Sequence, residues 1–134
     1  MELSKLIKSM SPTMHNGTFV WVTVPSIEQD PKLAEAASQA ELVFREKEGT
    51  TLIITQAMAD ELNMDFIFPC RKITLDVHSS LDAVGFMAAI ATRLATLGIG
   101  VNPVSGYYHD HLFVPLGKEN IAMEELKAMV AELQ

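Results

Sequence analysis

The order of strand and helix signals repeats along this chain, and that duplication limits the fold more than any other feature. Residues 17–24 (GTFVWVTV) correspond to residues 70–77 (CRKITLDV), 53 positions on; residues 52–62 (LIITQAMADEL) correspond to residues 112–126 (LFVPLGKENIAMEEL), 60 positions on. The offsets differ by 7 (60 − 53), so the first copy has the shorter crossover. Each copy reads strand, helix, strand, strand, helix. That order, twice over, predicts α+β layers with the helices on one face of an antiparallel-rich sheet. With 134 residues in all, neither half is large enough to bury a core alone, and the two are expected to share one.

The individual signals are local. Leu3, Leu6, Ile7 and Met10 recur at helical spacing until Pro12 ends the run. Asn16-Gly17 is a turn and residues 18–24 are an apolar strand. Asp30-Pro31 is an N-cap followed by proline at the first helical position, opening a short helix through Ala37. Residues 41–54 form a hairpin turning at Gly49, and 55–62 a short helix. In residues 72–78, Ile73, Leu75 and Val77 alternate with Lys72, Thr74, Asp76 and His78, which is a strand with two unlike faces. Val84, Met87, Ala91 and Leu94 stripe the next helix, which Gly98 ends. Pro103 confines its strand to an edge or bulge, 109–114 is the next strand, and Met123, Leu126, Val130 and Leu133 stripe the last helix.

Composition removes several function classes. The net charge is −7 and the 10 Lys and Arg residues are scattered, so nucleic acid and anionic membranes are not expected partners. Cys70 is the only cysteine, which excludes an internal disulfide. No long apolar run opens the chain or crosses it, so a cytoplasmic protein without signal peptide or membrane span is expected. No phosphate-binding glycine loop, HExxH or GxSxG motif occurs, and no nucleophile has a base and orienting partner in sequence; an enzyme is not expected. His109 and His111 share a strand face, with His78 as a conceivable third ligand. Two imidazoles leave a tetrahedral ion half-coordinated, so they read as a polar strand face and no metal or cofactor is expected. The eight methionines lie mostly at apolar helical positions and read as core filler.

The run from Asp82 to Pro115, DAVGFMAAIATRLATLGIGVNPVSGYYHDHLFVP, resembles an ACT domain, the small βαββαβ module that binds amino acids and regulates metabolic proteins. The features that match are Asp82 and Gly85 ahead of the helix, Leu94 to Ile99 at its end, and the strands flanking Ser105 to Asp110. Residues 105–115, taken with the short first half, look most like small bacterial tandem-ACT proteins related to the CASTOR-type arginine-sensor ACT domains. The first half matches loosely, since its crossover is short and no glycine corresponds to Gly85. The resemblance implies two ferredoxin-like, ACT-like halves, residues 1–65 and residues 66–134. It also implies a homodimer and a possible regulated partner protein.

Carried over residue by residue, the resemblance points to two neighbouring places. The strand-to-helix loop, here Asp82, Ala83, Val84, Gly85 and Phe86, contacts the ligand through its backbone. The segment leading into the next strand, here Gly106, Tyr107 and Asp110, closes the pocket, and a carboxylate at Asp110 suits a cationic or amino group. Gly106 and His109 depart from the pattern of the arginine sensors. On the residues alone, Asp82 and Gly85 are equally a helix start, with Asp82 as cap and the glycine chosen for close packing. Tyr107 and Tyr108 are equally packing aromatics. Two functions therefore stand open: a non-catalytic amino-acid-binding regulatory protein, or a ligand-free dimerisation or partner-docking module of the same fold.

Overall fold

A computed structural model describes residues 2–25 and 30–134 of the chain. Contacts divide the chain into two compact units: residues 17–70 form one, and residues 1–16 with 71–134 form the other.

The middle unit runs β2 (Phe19–Val24), α2 (Pro31–Gln39), β3 (Leu42–Arg45), β4 (Thr50–Thr55), α3 (Gln56–Glu61) and the first residues of β5 (Ile67–Leu75), which is βαββαβ in chain order. Its strands lie in the order β3-β4-β2-β5, and each neighbouring pair is antiparallel. Alternation along β2 sends Val20, Val22 and Val24 into a core with Leu52, Ile54, Ala36 and Ala59, while Trp21 and Thr23 take the other face. Asp30 caps α2 by accepting from the Lys32 amide at 2.9 Å, and the Thr55 hydroxyl accepts from the Met58 amide at 3.2 Å to cap α3.

The other unit begins at the N-terminus with α1 (Leu3–Ser9) and β1 (Pro12–Met14). It continues with the rest of β5, α4 (Phe86–Ala95), β6 (Asn102–Ser105), β7 (Asp110–Pro115) and α5 (Glu119–Glu132). The strand order is β6-β7-β5, with β1 antiparallel to β5 through Pro12↔Leu75, Thr13↔Thr74 and Met14↔Ile73. In this unit β1 occupies the place that the start of β5 holds in the middle unit. The second βαββαβ is thus permuted, its last strand supplied by the N-terminus.

Sequence repeats and compact units therefore divide the chain differently. The compact units break at 16/17 and 70/71 rather than at the 65/66 boundary expected from the repeats, so residues 1–16 fold with residues 71–134. Leu6, Ile7 and Met10 join Ile73, Leu75, Phe86, Ile90, Leu94, Leu112, Val114, Leu126 and Met129 in one core cluster. The described core residues fall into two clusters, one in each unit; in this one the N-terminal helix completes the apolar face over β5 and β7. The Arg71 guanidinium fixes the entry by donating to the His15 carbonyl at 3.0 Å and approaching Glu119 at 3.5 Å. No helix among the described residues is long and apolar enough to cross a membrane.

Three details of the helix expectations need correction, the first being the last stripe: α5 buries Ala122, Leu126 and Met129, while Leu133 is exposed. Val84 is not on the apolar stripe of α4: it precedes the helix and is 90% exposed, and the buried stripe is Phe86, Ile90 and Leu94. Asp82 does not cap that helix; Gly85 is the N-cap, at φ +89, and no side chain caps it. The left-handed φ breaks the helical pattern one residue before Phe86, so a stripe extended back to Val84 fails.

Candidate functional site

The loop from Asp76 to Gly85 joins β5 to α4 and is held by its own serines. The Ser80 hydroxyl accepts from the Asp82 amide at 3.1 Å, and the Ser80 carbonyl accepts from the Ala83 amide at 2.9 Å. That turn raises Leu81 and Val84 into solvent and leads to Gly85. A Cβ on Gly85 would stand 3.6 Å from Leu3 Cδ2, an ordinary contact, so the left-handed backbone rather than crowding is what selects glycine. Among the described residues no side chain caps α4, so none competes with an external acceptor such as a carboxylate for its first amides.

Across from this helix start, Asp110 opens β7 on the same strand face as Leu112 and Val114, facing the helices. It is only 8% exposed. Ser105 donates to its Oδ1 at 2.5 Å and Ser79 to its Oδ2 at 3.0 Å. A carboxylate offers about four lone-pair positions, so two serines leave room for an ammonium or further hydroxyl. Ser79 and Ser105 were missed in the sequence because a lone serine forms no motif; the fold brings them together at Asp110.

Three adjoining cavities surround the loop, and Ser80 lines all of them. The largest, about 510 Å³, is lined by Leu6, His78, Ser80, Asp82, Ala83 and Val84. A second of about 260 Å³ lies between His78, Ser79, Ser80, Leu81 and Tyr107. The smallest, about 130 Å³, reaches Asp110 between Ser79, Ser105, Ala83, Phe86 and Met87. The residues expected from the sequence thus divide among neighbours: Asp82, Ala83 and Val84 on the large cavity, Tyr107 on the second, Ala83, Phe86 and Asp110 on the smallest. Gly85 lies at the helix start beside them. Gly106 lines none of the three; its amide donates to the His109 carbonyl at 2.8 Å and shapes the β6–β7 turn. Tyr107 and Tyr108 pack edge to face at 4.9 Å on that turn, both exposed, rather than in a strand.

The histidines serve a different arrangement. His15 Nε2 and His111 Nδ1 lie 2.7 and 2.9 Å from the buried Thr74 hydroxyl, which can donate to one ring and accept from the other. His109 faces Asp76 at 3.9 Å. No group of three or more His, Cys, Asp or Glu side chains that could hold a metal ion occurs among the described residues. Cys70 is buried, its thiol bonded to the Phe19 carbonyl at 3.3 Å, and burial pushes its pKa up to about 11. It is no nucleophile at neutral pH.

Two family models match the chain, each described as an ACT domain: one over residues 1–71, the other over residues 67–128. Among solved structures, a Vibrio cholerae protein of unknown function, described as a possible transport protein, is 38% identical with a TM-score of 0.83, covering 96% of this chain and 95% of its own. A protein from Agrobacterium tumefaciens is 18% identical with a TM-score of 0.72, over 90% of this chain and 89% of its own. The ligand-free regulatory subunit of aspartate kinase from Thermus thermophilus is 9% identical with a TM-score of 0.64, over 90% and 99%. The last two share the fold. No curated protein matches.

Proposed function

Because the chain belongs to the ACT-domain family, a family of regulatory modules, we propose that it binds a small amino-acid-like molecule beside Gly85 and acts as a sensor rather than a catalyst. The observation that carries this reading is the pairing of an uncapped helix start at Gly85 with the buried Asp110 carboxylate, on adjoining cavities. The amides of α4 are suited to a carboxylate, and Asp110 to an ammonium. A zwitterion presents both. Ser79 and Ser105 hold Asp110 in place, and Ser80 holds the loop. A ligand with different affinity for two conformations or assemblies would shift their balance, which is all that regulation requires. A homodimer and a regulated partner protein fit the same reading.

The docking-module alternative rests on β3, an edge strand with Val43 and Phe44 exposed. A thermal-shift screen of the twenty amino acids separates the two. A binder is stabilised by mass action, by about 2.7 kcal/mol at a hundredfold excess over Kd, which raises Tm by several degrees. No shift with any amino acid would leave the docking module as the better account.

A further inference from the structure

The middle unit holds a cavity that the ligand reading above does not use. It measures about 420 Å³ and is lined by Trp21, Val22 and Thr23 of β2, Thr51 of β4, Glu46 of the β3–β4 turn, and Asp65, Phe66 and Ile67 at the entry to β5. That volume lies within the range of small-molecule sites. Its walls are aromatic and aliphatic, and Ile67 is 72% exposed, so a large apolar side chain stands in water where a ligand could cover it. Among the described residues, the only charged ones on the lining are Glu46 and Asp65, both carboxylates.

The neighbouring backbone holds the aromatic wall in an unusual way. The β2–β5 register shifts between Phe19↔Cys70 and Trp21↔Ile67, a bulge in which Phe68 takes φ +53 immediately before Pro69. A left-handed phenylalanine ahead of proline is a strained conformation. The bulge sets the Phe68 ring against Trp21, edge to face with centroids 6.3 Å apart.

We propose that this groove is a second binding site, for a small aromatic or aliphatic amine whose apolar body lies on Trp21, Phe66 and Ile67 and whose cation meets Glu46 and Asp65. The charge complementarity decides the class: with two acids and no base among the described lining residues, an anionic analogue of the same shape is disfavoured. The site lies in a different unit from Gly85 and Asp110, so it stands or falls independently of them.

Trp21 is the chain's only tryptophan, which makes its emission a direct reporter of the groove. The experiment titrates the full chain with 2-phenylethylamine and, separately, with phenylacetate. A saturable change in emission with the amine is expected, with phenylacetate at least about fivefold weaker and the gap narrowing at high salt. Asp65→Asn should loosen the amine about two- to fivefold, and Ile67→Ser, at a side chain 72% exposed, at least about threefold. No saturable change up to the solubility limit of the amine, equal affinity for phenylacetate, or an unchanged affinity in Ile67→Ser would each overturn the proposal.

Discussion

The two units share one strand order but begin their first helices differently. In the middle unit α2 follows β2, and the Asp30 side chain accepts from the Lys32 amide, so the helix closes its own N-terminus. In the other unit α4 follows β5, and Gly85 stands at the cap with no side chain to offer. The partner strand differs as well: β7 opens on the buried Asp110 where β4 opens on Thr50, at the same 60-position offset that relates the repeats. One copy is capped by its own side chain at this place. The other has no side-chain cap, and the proposal is that an external ligand meets its first amides and the Asp110 carboxylate.

The largest expected effect concerns which residues complete the permuted unit. Leu6→Ala should cost about 2–5 kcal/mol in urea unfolding, because Leu6 is 2% exposed inside the core of β5, β7, α4 and α5. The same change at Leu3, which is half-exposed, should cost well under half as much. Equal small losses at both would make α1 an accessory to this core rather than part of it.

Alkaline pH should act on the middle unit. The Cys70 thiol has its folded pKa raised to about 11 from an ordinary 9.0, chiefly by burial. A group whose folded pKa is raised keeps its full contribution below the unfolded value and loses it as pH climbs through the folded one. Stability should therefore hold at neutral pH and fall between about pH 9 and 11, by on the order of 2 kcal/mol. Cys70→Ala should flatten that fall in a pH series of unfolding curves, and a fall of unchanged size would assign it to another group.

The two helix starts lose stability to alanine for different reasons and are rescued by different residues. Gly85→Ala should lose about 1–2 kcal/mol because alanine resists φ +89, while Gly85→Asn, which tolerates that conformation better, should lose less. Asp30→Ala removes a true cap and should cost about 1 kcal/mol, with Asp30→Ser largely restoring it. Chemical denaturation of the four variants checks both. If Gly85→Ala were neutral, glycine would not be required by the backbone there.

Much of the architecture was legible because its causes are local. The alternation at Ile73 and Leu75, the Asp30-Pro31 helix start and the turn at Gly49 all appear where the pattern put them. The permutation was not, since Pro12–Met14 is three residues long, too short to show a period, and its pairing with Leu75 is a long-range event. Phe68 carries no sequence signal for a left-handed bulge. At the candidate site Gly85, Phe86 and Asp110 could be singled out, whereas Ser79, Ser80 and Ser105 could not: their roles depend on which loops the fold lays beside Asp110. Val84 and Asp82 carry helix-like local signals, but the left-handed glycine starts the helix only after them.

The most direct test of the open helix start is calorimetry with the amino acid that the thermal-shift screen selects, comparing the unaltered chain with Asp110→Asn. The replacement keeps the shape of the side chain and removes its charge. Affinity should fall at least about tenfold, the factor that 1.4 kcal/mol implies, while the unfolding midpoint without ligand moves little by comparison. Unchanged affinity in a folded Asp110→Asn protein would contradict the account and place the ligand elsewhere.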